Sequence, residues 1–203
     1  MAFVVIDGGT TNTRLFLVED GKISGKVKRS VGVRDTSLSG DNAKLKRELL
    51  SAFEEIKANT TLAIEKAIAL GMITSPLGLH NVPHVPAPIG AGELAQAIFW
   101  QDQSSSFIGV PLGFVPGVKT HFSKKPASWD LMRGEETLTF GLLEKFKPAG
   151  PVLVINLGSH TKFIGVDAKG VITGSLTTLA GELLAALKAQ TVLASSLPFE
   201  LPS

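Results

Sequence analysis

Two short segments of this chain carry residues suited to holding a phosphorylated ligand: Asp7-Gly8-Gly9-Thr10-Thr11, and Gly158-Ser159-His160-Thr161-Lys162. A glycine-rich turn leaves backbone N–H groups uncovered, and successive N–H groups form a concave anion site. The hydroxyls of Thr10, Thr11, Thr13 and Ser159 add donors for phosphate oxygens. Asp7, at the end of an apolar run, is placed to hold a hydrated Mg²⁺ rather than the anion itself. Two such hairpins facing each other across a cleft can grip a polyphosphate from both sides. A single Asp-Gly-Gly-Thr segment is an ordinary tight turn, but the same chemistry at repeated positions asks for more than turn geometry.

The turns must be positioned by what flanks them, and the flanks repeat too. VVIDGGTTNTRLFLVEDGKISG begins at Val4, and LVINLGSHTKFIGVDAKGVITG begins at Leu153. Without a gap, Asp7 aligns with Asn156, Gly9 with Gly158, Thr10 with Ser159, Gly21 with Gly170, Ile23 with Ile172 and Gly25 with Gly174. Each copy reads as strand, polar turn, strand, glycine turn, strand, which predicts a duplicated β-meander.

Between the copies, the pattern predicts strands at 3–7, 14–18 and 23–30 and a half-buried helix over 43–57, with Leu45, Leu49, Ala52, Phe53 and Ile56 on its apolar face. A strand at 66–73 leads into a long loop, 74–89, holding Pro76, Pro83, Pro86 and Pro88. Loops of that length in a compact domain tend to be functional. A helix at 93–100, a strand at 106–115, a polar loop at 116–128 and a helix at 131–146 follow. Pro148-Ala149-Gly150 forms the hinge into the second meander, whose own helix is expected at 182–193. Three strands, helix, strand, helix, strand, helix is the order of a ribonuclease H-like α/β unit. A second such unit then begins, so the first domain (1–147) is expected to be complete and the second (148–203) to stop after its first helix.

Composition narrows the classes. With 44% hydrophobic and 19% charged residues, the 203-residue chain reads as globular. A net charge of +2 gives no basic stripe for nucleic acid, and Lys124-Lys125 is too short to make one. The absence of cysteine excludes disulfides and thiolate chemistry and agrees with a reducing compartment. Neither a signal peptide nor an apolar run long enough to span a membrane is present, so a cytoplasmic protein is expected. Gly90-Ala91-Gly92-Glu93-Leu94-Ala95 matches a dinucleotide fingerprint but follows Pro-Ala-Pro, not a strand, and no Walker-type loop occurs. His80, His84 and His121 lack metal-ligand spacing.

The architecture resembles the superfamily of sugar kinases, hexokinase, actin and the Hsp70 ATPase domain, in which two duplicated domains close over ATP. Within it, Asp7-Gly8-Gly9-Thr10-Thr11-Asn12-Thr13-Arg14 resembles the opening motif of 2-dehydro-3-deoxygalactonokinases. Asp130-Leu131-Met132-Arg133-Gly134-Glu135-Glu136-Thr137 resembles their internal motif. Gly158-Ser159-His160-Thr161-Lys162 resembles their second phosphate loop, and Ala180-Gly181-Glu182-Leu183 their Thr-Gly-Glu-Leu segment. Gly8 stands where the family usually has Trp, and Ala180 where it usually has Thr. The family's Gly-rich adenosine loop would lie beyond Ser203.

The resemblance implies ATP and Mg²⁺, with a 2-keto-3-deoxy sugar acid as substrate. It implies Asp7 at the metal, and Gly8, Gly9, Thr10, Thr11, Gly158, Ser159, His160, Thr161 and Lys162 at the phosphates. It further implies Asp130 as acceptor of the substrate hydroxyl proton, with Arg14, Arg133 and Glu135 toward the substrate. Plainer roles stand beside these. Asp130 is expected to open a helix and can serve as its N-cap, with Glu135 and Glu136 near the helix dipole. Arg133 suits either a bidentate carboxylate clamp or a surface ion pair, and His160 a hydrogen bond within its loop. A hexose or N-acetylhexosamine kinase, and a sugar-acid-binding module without catalysis, remain alternatives. Self-association through an apolar face of the second unit is a further expectation.

Overall fold

The computed structural model describes residues 1–121, 129–192 and 196. Strands β1 (Ala2–Gly8), β2 (Thr13–Glu19) and β3 (Lys22–Arg29) form an antiparallel meander, with Asp7 opposite Arg14 in register. After α1 (Val33–Ser39) and α2 (Ala43–Lys57), β4 (Ile64–Gly71) returns parallel to β1. A 3₁₀ turn at Met72–Thr74 follows, then β5 (Val85–Pro86), α3 (Ala91–Gln96), β6 (Phe99–Gln101) and β7 (Leu112–Phe114). The main sheet has the order β3-β2-β1-β4-β7-β6. Its core joins Val4, Ile6, Leu15 and Leu17 to Leu45, Leu49, Phe53 and Ile56 of α2. Burying each such side chain stabilises the fold by about 1.5–3 kcal/mol.

A small second sheet, β5-β8-β9, uses β8 (Val118–His121) and β9 (Trp129–Met132), and α4 (Glu135–Phe146) follows it. The second meander is β10 (Val152–Asn156), β11 (Thr161–Val166) and β12 (Ile172–Thr178), followed by α5 (Ala180–Gln190). Ile164, Val166 and Ile172 share an apolar cluster with Val115, Val118 and Met132. Ile89 and Ile172 exchange backbone hydrogen bonds of 3.0 and 2.9 Å. The main sheet and its helices form a ribonuclease H-like α/β unit, and β10–β12 with α5 repeats its beginning.

The helix over 43–57 lies where its apolar spacing predicts. Other expectations are corrected. The expected helix at 131–146 starts only at Glu135, because residues 129–132 pair with β8 and Gly134, at φ 111°, makes the turn between them. The expected helix at 93–100 ends at Gln96, and Phe99–Gln101 instead pairs antiparallel with β7. The expected strand at 106–115 narrows to Leu112–Phe114. The loops 74–89 and 116–128 supply β5 and β8, while α1 had no sequence signal. The expected helix at 182–193 instead runs Ala180–Gln190, with Thr191 already extended. Residues 122–128, with Lys124 and Lys125, and Leu193 lie outside the described residues.

Candidate active site

Two cavities adjoin at the junction of the sheets. The larger, about 900 Å³, is lined by His84, Lys119, Asp130, Arg133, His160 and Lys162 among others. The smaller, about 450 Å³, is lined by Asp7, Gly8, Gly9, Thr10 and Asn156 among others. Met72, Arg133 and Glu135 belong to both walls. Asp7 and Asn156, equivalent residues of the two copies, thus meet in one cavity.

The first turn is held from behind. Gly9 N–H donates to the Asn12 carbonyl (2.9 Å), while α1 donates from Val33 N to Gly9 O (3.2 Å) and from Arg34 N to Thr10 O (2.9 Å). Arg14 Nη1 donates to Asp7 Oδ2 (3.1 Å), so this cation neutralises Asp7 instead of reaching out alone. Thr13 is fully buried and its hydroxyl donates to Val31 O (2.8 Å), which removes it from the set of phosphate donors. Thr11 is exposed, accepts from Asn12 Nδ2 (3.0 Å) and lines neither cavity.

The second turn is built alike, with Glu182 N at the start of α5 donating to Ser159 O (3.1 Å). Thr161 Oγ1 donates to Gly158 O (3.3 Å) within the turn. Gly158, Ser159 and Thr161 line neither cavity. His160 faces the larger one, with Nε2 3.5 Å from Glu182 Oε1. Lys162 is buried, and its ammonium donates to Leu131 O (2.7 Å) and Thr177 Oγ1 (2.6 Å), strapping the second meander to β9.

Asp130 lies on β9 opposite Thr120, not at a helix start, so the N-cap role is corrected; Gly134 occupies that place. Ser175 Oγ, from β12, donates to Asp130 Oδ2 (2.5 Å), and Ser175 N donates to Thr120 Oγ1 (3.0 Å). Asp130 Oδ1 has no hydrogen-bond partner among the described residues and belongs to a residue lining the larger cavity. Ser175 carries no motif, and only the packing of β12 on β9 reveals it.

Arg133 is neither a surface ion pair nor an open clamp. Nη1 donates to Thr74 O (2.7 Å) and Thr74 Oγ1 (2.6 Å); Nη2 donates to Val82 O (2.9 Å) and lies 3.2 Å from His84 Nδ1. These contacts pin the proline-rich loop. Burial weakens the hold of Arg133 on its proton and the charge of Glu136 opposes that effect. Arg133 nevertheless stays charged, since a guanidinium does not deprotonate in proteins. Burial foremost, then the positive charges of Arg133 and Lys119, push His84 down to about 4. Glu135 Oε2 accepts from Arg133 N (2.9 Å), and the buried Glu136 carboxylate accepts from Gly134 N (2.8 Å). Burial pushes the Glu136 carboxyl up, against that hydrogen bond. Both acids therefore cap the start of α4, as expected for acids beside a helix N-terminus.

No group of three potential metal ligands occurs among the described residues. Asp7, the one carboxylate of the first turn and already paired with Arg14, would suit a cation that keeps most of its waters. Among the described residues, no helix is long and apolar enough to cross a membrane. The Gly90–Ala95 segment caps α3, with Gly90 N donating to Glu93 Oε2 (2.8 Å).

The family model of 2-keto-3-deoxy-galactonokinase matches residues 7–201. The chain belongs to that family. This 2-keto-3-deoxy-galactonokinase family member also matches a solved Sinorhizobium meliloti protein assigned as a 2-dehydro-3-deoxygalactonokinase. The TM-score is 0.74 at 23% identity, over 95% of this chain and 59% of that one. The fold is shared with the Aquifex aeolicus Ppx/GppA phosphatase (TM-score 0.51, 17% identity, 92% of this chain and 54% of that one). It is also shared with the ethanolamine utilization protein EutJ of Carboxydothermus hydrogenoformans (TM-score 0.51, 13% identity, 98% and 58%). The chain thus spans a little under three-fifths of the Sinorhizobium protein. No curated protein matches it. The family is one of sugar kinases, as the two motifs around Asp7 and Asp130 implied.

Proposed function

We propose that this chain serves an ATP-dependent kinase that phosphorylates the terminal hydroxyl of 2-dehydro-3-deoxy-galactonate in the cytoplasm. The observation that carries the reading is the meeting of two cavities, one lined by Asp130 and the other by the Asp7–Thr10 turn, across the wall of Met72, Arg133 and Glu135. A sugar in the larger cavity presents its hydroxyl to Asp130, which takes the proton as the oxygen bonds to the γ-phosphorus and ADP leaves. The Asp7–Thr10 turn would hold the phosphate side by hydrogen bonds from its backbone and the Thr10 hydroxyl, and the second turn would close the opposite side with His160, while Lys162 ties that turn's meander to β9. Asp7 would hold Mg²⁺ through water, and the ion would supply neutralisation of the β- and γ-phosphate charge. The two units, 1–147 and 148–203, meet through Ser175–Asp130 and Lys162–Leu131, so the base depends on both.

Calorimetric titration of the chain with 2-keto-3-deoxygalactonate, beside glucose and N-acetylglucosamine, tests the substrate class. Saturable binding of the acid alone supports the reading; preference for a neutral sugar replaces it with a hexose or hexosamine kinase. Asp130→Asn is expected to abolish turnover while leaving acid affinity nearly intact, and lost affinity with normal chemistry would remove Asp130 from its role.

A further inference from the structure

Among the described residues, five side chains that carry or can carry positive charge line the larger cavity, and four of them are already engaged. Arg133 has its two terminal nitrogens on Thr74, Val82 and His84. Lys162 is buried with its ammonium on Leu131 O and Thr177 Oγ1. His160 is beside Glu182, and His84 is neutral at physiological pH. The fifth is Lys119, which no sequence motif marks. It sits on β8 opposite Leu131 of β9, one position before the Thr120–Asp130 pair. Its main chain is fixed, since Ala87 N donates to Lys119 O (2.9 Å). Its side chain is half-buried, and its ammonium makes no hydrogen bond or ion pair among the described residues.

A lysine that lines a cavity and has no protein partner for its ammonium among the described residues is open to an anion. Resting on the sugar-acid reading above, we infer that Lys119 is the counter-charge for the substrate carboxylate and so determines selection of an acid over a neutral sugar. Arg133 is then a positioning residue that holds the loop from Thr74 to His84 as a wall of the cavity. The two cations divide the work that a single free arginine would do: one builds the wall and the other meets the ligand. The compact, strongly hydrated ammonium gives this contact a marked dependence on salt.

The test is calorimetric titration of 2-keto-3-deoxygalactonate into the parent chain, Lys119→Gln and Lys119→Arg, each at several ionic strengths, with melting curves to establish folding. Lys119→Gln should weaken acid binding at least about tenfold, as loss of a charge-assisted hydrogen bond does. It should also flatten the dependence on salt, with Lys119→Arg recovering most of both. A structural role alone would not change the salt slope. Equal affinity and equal slope in Lys119→Gln would overturn the role of Lys119 and leave the sugar-acid reading standing. No binding by the parent chain would overturn that reading and this inference together.

Discussion

The two copies of the meander share a sequence pattern but not an environment. Val4 and Ile6 are fully buried, whereas the aligned Leu153 and Ile155 are 60% and 49% exposed. The intervening side chains, Phe3, Val5 and Asp7 in one copy and Val152, Val154 and Asn156 in the other, are half-buried in both. One face alone distinguishes them. In the first copy that face shares a core with α2, while in the second α5 buries none of its residues. Apolar alternation therefore specifies a strand, and only a packed neighbour specifies burial. The copies agree where a helix start meets its turn. A side chain at Gly32 would stand 2.4 Å from Thr10 O, and one at the aligned Gly181 would stand 2.1 Å from Gly158 O. Each turn is thus braced by a close approach that only glycine permits.

Unfolding stability should separate the two copies most. Ile6→Ala should cost about 2–5 kcal/mol in urea unfolding, as a core truncation does. The aligned Ile155→Ala should stay within about 0.5 kcal/mol, as a surface change does. Equal costs would mean that the open face of β10 is covered in solution. The turns themselves separate by charge. Asp7→Asn should remove most of the gain in ATP affinity that Mg²⁺ confers, at least tenfold by calorimetry with and without chelator, because a carboxylate draws hydrated Mg²⁺ and an amide does not. Asn156→Ala should leave that gain within about threefold.

The shared brace predicts similarity instead. Gly32→Ala and Gly181→Ala should each cost about 1–3 kcal/mol from overpacking, measured by the same unfolding curves. A cost at only one of them would break the equivalence of the two turns.

The smallest effect is expected at His84, whose folded value of about 4 lies below the ordinary 6.5. The unfolded chain binds the extra proton between these values, so stability is complete above pH 6.5 and falls as pH drops toward 4. His84→Gln should lack this share of the acid sensitivity, so its melting temperature should approach that of the parent from below, or pass it, on acidification. Parallel curves would show that His84 keeps its ordinary titration.

Several elements were legible because their signals are local. The boundaries of α2 follow from five apolar residues at helical spacing, and the duplicated meander from turns and alternation within each copy. The family was carried by contiguous motifs around Asp7, Asp130 and Gly158. The strand 129–132 was not legible, since its sequence allows a helix until β8 offers hydrogen bonds to it. The same holds for Val85–Pro86, a pair too short to carry any period.

The repeat, the two polar turns and the acids that cap α4 were written in the sequence, because each depends on neighbours a few bonds away. The tertiary structure alone decided which charged groups are engaged and which are free. Arg133 meets Thr74 across 59 residues of chain, Asp130 meets Ser175 across 45, and Lys162 meets Leu131 across 31. Contacts of that span arise from the packing of whole sheets, and no residue type or spacing encodes them. It is those contacts that turn Arg133 into a brace, join Asp130 to the second meander and leave the ammonium of Lys119 to the cavity.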